Sequence, residues 1–272
     1  MGLNIPLISR GELRNLLLLV AVGTLAGCAA NAPADGINDP FEAANRKVHA
    51  FNKGVDRALV GPASEGYGLV PEPVKRAVGN VADTLDLPGD IANNLLQFRL
   101  IAAAENTLRL GVNLTFGLAG TMDVSSELGL MGRPTDFGET LHVWGVGEGA
   151  YVELPLAGPS TTRDTVGMVV DVALNPVRLA LPDKEARAAT IFKLFSRLGD
   201  RDRFSDTVDS LLYESADSYA QARLLYLQNR RFQLGQEAGT ADDGFIDPYA
   251  DADGAAAADD GFIDPYEDPY AQ

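Results

Sequence analysis

Apolar residues along this chain recur at helical spacing, and in two stretches they outnumber the polar ones around the helix. Phe41, Ala44, Val48, Phe51 and Val55 follow three- and four-residue steps, so they share one helix face. Asp39 stands where it would cap that helix, with Pro40 at the first position and Glu42 at the third. A second helix is predicted from Pro73, with Val74, Ala77, Val78, Val81 and Leu85 on one side and Pro88-Gly89 as its stop.

Asp90 to Phe116 inverts the usual proportions. Its polar groups, Asp90, Asn94, Gln97, Glu105, Arg109 and Asn113, fall mostly at four-residue steps and form a narrow stripe. Ile, Leu, Ala and Val fill most of the remaining surface, with Arg99 as the exception. Asp164 to Leu181 repeats the design, with Asp164, Asp171, Asn175 and Arg178 on one face and Pro176 as a break or kink. A soluble surface helix carries a narrow apolar stripe and a wide polar face. Two environments suit the inversion. One is a globular core in which the polar stripes pair internally. The other is lipid around the wide apolar arc, with the stripes facing a wet interior. Neither stretch is a continuous apolar span of ~20 residues, so a helix lying in the membrane plane fits the second environment better than a spanning one.

Thr140 to Trp144 and Tyr151 to Leu154 carry β-type residues around Gly145, Gly147 and Gly149, which predicts a hairpin or a tight glycine loop. Ser205 to Leu234 reads as one long helix, with Val208, Leu211, Leu212, Tyr219, Ala222 and Tyr226 on one face. Arg230 and Arg231 close it in the sense the helix dipole favours. The fold class expected is mainly α with a short β/glycine hairpin segment.

The two ends differ from this body. An apolar run, Leu16 to Leu25, follows Arg10 and Arg14 and ends in Leu25-Ala26-Gly27-Cys28. That order reads as a secretory signal, because the run is too short to span a bilayer. The tetrapeptide resembles a lipobox, so Cys28, the only cysteine, is expected to become the lipidated N-terminus. Ala29-Ala30 after it, rather than an Asp, resembles lipoproteins sorted to the outer membrane. Residues 28–37 read as a tether, and 38–234 as the helical domain. At the other end Asp242 to Tyr249 recurs as Asp259 to Tyr266. Two short polar copies cannot build a stacked core, so 235–272 is expected to be a disordered acidic repeat tail. A docking motif in Phe-Ile-Asp-Pro-Tyr and weak calcium binding at Asp251 and Asp253 are the alternatives there.

Charge narrows the partners. The net charge is −16, and 235–272 hold eleven acids with no Lys or Arg. A body that is also acidic argues against nucleic acid and against simple adhesion to anionic lipid. Catalytic signals are weak. Gly145-x-Gly147-x-x-Ala150 needs a following helix to hold a dinucleotide, and Tyr151 to Pro155 reads as a strand. Ser160, His142 and Asp164 lack a nucleophile elbow. Only His49 and His142 could join a metal site, and each suits a structural role better. No catalytic residue, metal or cofactor is assigned, and the chain is not expected to be an enzyme.

Three runs carry a resemblance. The first is Asn38-Asp39-Pro40-Phe41-Glu42, continuing through Asn45-Arg46 to Phe51-Asn52. The second runs from Asp136-Phe137-Gly138 through Trp144-Gly145-Val146-Gly147, Gly149, Tyr151 and Leu154-Pro155 to Gly158-Pro159-Ser160 and Arg163-Asp164. The third is Asp217, Tyr219, Arg223, Tyr226, Leu227, Gln228 and Arg230. Together they resemble the signature blocks of the VacJ/MlaA family of outer-membrane lipoproteins in the Mla phospholipid-transport system. Phe98 stands where that family commonly has Gly, and Val81-Ala82 replace a usual aromatic pair.

The resemblance implies a ring-like assembly of amphipathic helices in the inner leaflet of the outer membrane, anchored on its periplasmic side. It implies a polar channel for phospholipid head groups, hand-over to a periplasmic lipid carrier, association with a trimeric porin, and maintenance of lipid asymmetry. Candidate lining residues are then Asn94, Gln97, Arg109, Asn113 and Asp171, and the candidate gate is Gly145, Gly147 and Gly149. The competing reading is a lipid-anchored soluble periplasmic scaffold without a channel.

Overall fold

The computed structural model describes residues 37–235. Cys28 and the acidic repeat lie outside them. The protein is mainly helical, with one antiparallel hairpin.

Helix α1 (Glu42–Val55) continues through a π-helical turn (Asp56–Val60) into α2 (Gly61–Gly68) as one rod. Its Phe41–Phe51 face points outward, and Asn45 and His49 are the buried residues. They turn inward because the edge of strand β1 (Tyr151–Leu154) runs alongside and needs partners. Asn45 donates to the Tyr151 carbonyl (3.2 Å) and accepts from the Glu153 N–H (3.0 Å). Asn52 donates to the Leu154 carbonyl (2.9 Å) and accepts from the Leu156 N–H (2.7 Å). Asp39 does not cap α1. Its carboxylate accepts from Asn45 (2.9 Å), from Arg223 (2.6 Å) and from the Tyr219 hydroxyl, because a buried charge is held best by several donors at once.

Helix α3 (Glu72–Leu96) runs straight through Pro88-Gly89, where the sequence predicts a stop. Helix α4 (Leu100–Thr115) packs on one side of it and α9 (Asp183–Arg203) on another, and these contacts outweigh the one lost hydrogen bond. The inverted stretch 90–116 is therefore not one helix but the end of α3, a turn at Gln97 to Arg99, and α4. A short α5 (Val124–Glu127) follows.

Thr140 to Trp144 is also not a strand. It belongs to α6 (Phe137–Val143), which Asp136 caps by accepting from the Glu139 N–H (2.8 Å). Strand β1 pairs instead with β2 (Gly158–Thr161), Tyr151 opposite Thr161. Thr161 then caps α7 (Thr162–Ala173), and the chain breaks before Pro176 into α8 (Pro176–Ala180), as its sequence predicts.

Ser205 to Leu234 is interrupted too. It forms α10 (Ser205–Asp209), a π-helical turn (Ser210–Glu214) and, after a break at Ser215 to Asp217, α11 (Ser218–Gln233). Asp217 caps α11 by accepting from the Ala220 N–H (3.1 Å) and binds Arg46 of α1 (2.9 Å). That long-range pair fixes the break.

The packing contacts close on themselves. They run from α1 to β1, β2, α7, α6, α3, α9 and α2, and α2 is continuous with α1. The result is a ring of helices rather than a layered globule. Its apolar core is small, centred on Tyr151, Tyr219 and Leu227.

Candidate functional site

The described residues are inside-out. Seventeen buried side chains are polar or charged and ten are hydrophobic, while thirty-five large hydrophobic side chains are exposed. Phe232 is 82% exposed, Phe116 73% and Leu179 70%, on α11, at the end of α4 and on α8. Patches on this scale mark a surface that meets lipid or another protein.

The polar stripe of α3 and α4 is closed off by the chain segment 123–135. Asn94 and Asn106 both donate to the Arg133 carbonyl (3.2 and 2.8 Å), and Asn106 accepts from the Arg133 N–H (3.0 Å). Gln97 donates to the hydroxyls of Thr135 (2.7 Å) and Thr140 (2.9 Å). Asn113 donates to Asp123 (3.1 Å) and accepts from the Ser125 N–H (3.1 Å). Arg109 pairs with Asp123 (3.2 Å) and donates to the Leu130 carbonyl. Burial alone would raise the Asp123 carboxyl, but donors from Ser125, Ser126 and Asn113 and the charge of Arg109 hold it well below the carboxylate range.

Behind this seam lies a cavity of about 1660 Å³. Asp83, Asp86 and Asp90 line it from successive turns of α3, Glu105 and Arg109 from α4, Asp171 from α7 and Arg197 from α9. Of the five sequence-predicted lining residues, Asn94, Arg109 and Asp171 border this space. Gln97 and Asn113 are buried in the hydrogen bonds just described and stand off its wall. Asp83 and Asp86, missed in the sequence, recur three residues apart beside Asp90; that spacing was the available signal.

Burial pushes the Asp90 carboxyl up to about 7, against the Thr135 N–H that donates to it at 3.1 Å. Burial also raises Asp171, which accepts from Asn93 (3.0 Å) and the Phe137 N–H (2.9 Å). Asp83 is raised by burial and by neighbouring Asp86.

The glycine segment is off the cavity wall. Gly145, at φ +87°, ends α6: its N–H binds the His142 carbonyl (2.8 Å) and the Val146 N–H binds the Leu141 carbonyl (2.9 Å), a Schellman closure. Gly149 is also left-handed, at φ +76°, and Gly147 faces open space.

Ser160, His142 and Asp164 do not assemble. Ser160 is buried in β2, bonded to Thr165 (3.0 Å), and Asp164 is held by Arg163 (3.1 Å), Arg230 (3.1 Å) and Tyr226 (2.8 Å). Arg230 thus serves α6 and α7 through Asp136 (2.7 Å) and Asp164, beyond its favourable place at the end of α11. A chain unseen in the sequence runs from Ser218 Oγ to His49 Nε2 (3.1 Å) and from His49 Nδ1 to Glu153 (3.3 Å). The cavity does not border it, and it ties α1, β1 and α11 together.

A ring of helices with many hydrophobic side chains exposed and charged side chains bordering a large cavity defines the class of protein. The family is equally plain: the MlaA lipoprotein family profile matches residues 37–233, and the chain belongs to that family. It is 30% identical to the intermembrane phospholipid transport system lipoprotein MlaA of Haemophilus influenzae, over 80% of this chain and 89% of that one. Identity to the protein of the same name in Escherichia coli is 31%, over 79% and 87%. A protein of Rickettsia bellii is 31% identical over 71% and 76%. The fold is similar to a structure solved in work on the maintenance of bacterial outer membrane lipid asymmetry, with TM-score 0.62, 27% identity, and coverage of 72% of this chain and 98% of that one.

Proposed function

We infer that this chain is the outer-membrane lipoprotein of an intermembrane phospholipid transport system. It takes mislocalised phospholipid from the outer leaflet through its cavity and passes it to a periplasmic carrier, which maintains lipid asymmetry. The reading rests on one observation: a charged cavity inside a helical ring whose exterior is hydrophobic. Moving a charged head group through hydrocarbon is costly, and a polar cavity lowers that cost while acyl chains stay in the bilayer. No bond is made or broken, so no cofactor is called for. The covalent lipid on Cys28 is the anchor, and phospholipid is the cargo. Among the described residues no helix is long and apolar enough to cross a membrane, which suits a ring seated in the periplasmic leaflet. A trimeric porin is the neighbour expected to hold it there. The glycine segment 145–149 keeps a gating role only through motion transmitted by α6.

Ala92 and Ala102 on the cavity wall provide the test. Ala92→Trp and Ala102→Trp add bulk to that wall and leave the residues of the Asn–Arg133 clamp themselves unchanged. Outer-leaflet phospholipid in cells carrying them as the sole copy should rise to the level of a deletion strain. Wild-type asymmetry with the protein folded and present would overturn the channel.

A further inference from the structure

We propose that the cavity prefers phospholipids whose head group carries an amine, such as phosphoethanolamine, over head groups that are only anionic. This deepens the transport reading and rests on it.

The balance of charge on the cavity wall carries the inference. Arg133 is neutralised by Glu105 (2.7 Å), Arg230 by Asp136 (2.7 Å), Arg99 by Glu139, and Arg109 by Asp123. Asp86 is taken by Lys193. Among the described residues three carboxylates of the wall are then left without a cationic partner: Asp83, Asp90 and Asp171. One guanidinium, that of Arg197, is left without an anionic one. Burial raises all three carboxyls, so each ionised form gains from a cation brought close.

Placement matches a zwitterion. Asp83 and Asp90 lie two turns apart on the cavity side of α3. The Lys193–Asp86 and Lys75–Asp202 (3.6 Å) pairs show α9 antiparallel to α3, so Arg197, one turn beyond Lys193, comes near the Asp83 turn. Arg109 borders the same cavity, so its charge, shared with Asp123, adds to the positive end of the site. A phosphate oxygen can accept from Arg197, while an ammonium a few bonds away meets Asp83 or Asp90. A phosphoglycerol head brings the same phosphate with no cation, and its negative charge meets the acidic row unrelieved.

The test uses the lipidated full-length protein in detergent. It is incubated with an equimolar mixture of phosphatidylethanolamine and phosphatidylglycerol, repurified, and its retained lipid quantified by mass spectrometry. Phosphatidylethanolamine should be retained at least about fivefold over phosphatidylglycerol. Asp83→Asn with Asp90→Asn should bring the ratio below about twofold while lipid is still bound, and Arg197→Gln should lower retention of both. Equal retention by the wild type, or a wild-type ratio in the double variant, would overturn the preference and leave transport standing. Retention of neither lipid would instead sink the transport reading itself.

Discussion

Asn94 of α3 and Asn106 of α4 donate to the same acceptor, the carbonyl of Arg133, at 3.2 and 2.8 Å. Two helices are thereby clamped through one peptide of a loop. The amide stripe that suggests a wet channel wall in the sequence is largely a buried backbone dock. The cavity is walled by carboxylates and guanidiniums together with Asn94 and apolar side chains such as Leu87, Leu96 and Val170.

Asn106 is 0% exposed and also accepts from the Arg133 N–H. Asn106→Leu would remove the partner of the Arg133 N–H and leave the Arg133 carbonyl to Asn94 alone. The expected loss is about 2–3 kcal/mol, read as a lower denaturation midpoint in detergent. An unchanged midpoint would mean that the clamp contributes nothing to stability.

Asp90 gives a pH dependence of definite sign. Its folded-state value is near 7 against an ordinary 3.8, so the folded protein holds an extra proton between those values. Its contribution to stability is present at low pH and is lost as pH rises through about 7. Asp90→Asn keeps an acceptor for the Thr135 N–H and removes the penalty. We expect stabilisation of about 1–2 kcal/mol at pH 8, discounted for cavity water, and clearly less at pH 5. Equal effects at both pH values in thermal unfolding would refute the assignment.

Phe98 adopts φ +58° at the close of α3, where its N–H and that of Arg99 complete a Schellman turn on Leu95 (3.0 Å) and Asn94 (2.9 Å). Left-handed backbone disfavours any residue with a Cβ. Phe98→Gly should therefore stabilise the fold by about 1 kcal/mol. It should also weaken vesicle binding of a chain lacking the lipid anchor, because an almost fully exposed aromatic ring is lost. If binding to vesicles were unaffected, the α3–α4 turn would not be a membrane contact.

Two helix glycines should respond in opposite directions. A Cβ on Gly167 of α7 would come within 2.3 Å of the Gly138 backbone nitrogen of α6, whereas one on Gly89 of α3 meets nothing within 4 Å. Gly167→Ala is expected to cost about 2–3 kcal/mol by forcing α6 and α7 apart. Gly89→Ala is expected to gain about 0.5–1 kcal/mol from helix propensity. Chemical denaturation of both variants checks the pair; a loss at Gly89 would contradict the open space beside it.

Local signals read correctly where local physics decides. The strand at Tyr151–Leu154, the start of α3 at Pro73 and the break at Pro176 follow from side-chain type and from proline's missing N–H. They fail where a distant partner takes over. Asp39 leaves its cap position for Arg223 and Tyr219, and Pro88 is carried within α3 by its neighbours on α4 and α9. Helix α9 has no strong apolar periodicity to announce it. Asp183 and Glu185 in its first turn and Arg201 and Arg203 in its last are a dipole signature that could have.

By itself, the sequence determined the helical class, the family, and the inverted balance of apolar and polar positions, because periodicity and composition are properties of the chain alone. Only the tertiary structure decided which polar groups are consumed in holding backbone and which are left bordering a cavity. Whether an amide or carboxylate is free depends on what the fold brings within about 3 Å of it, and for Asn94, Asn106 and Asp171 that partner comes from far along the chain.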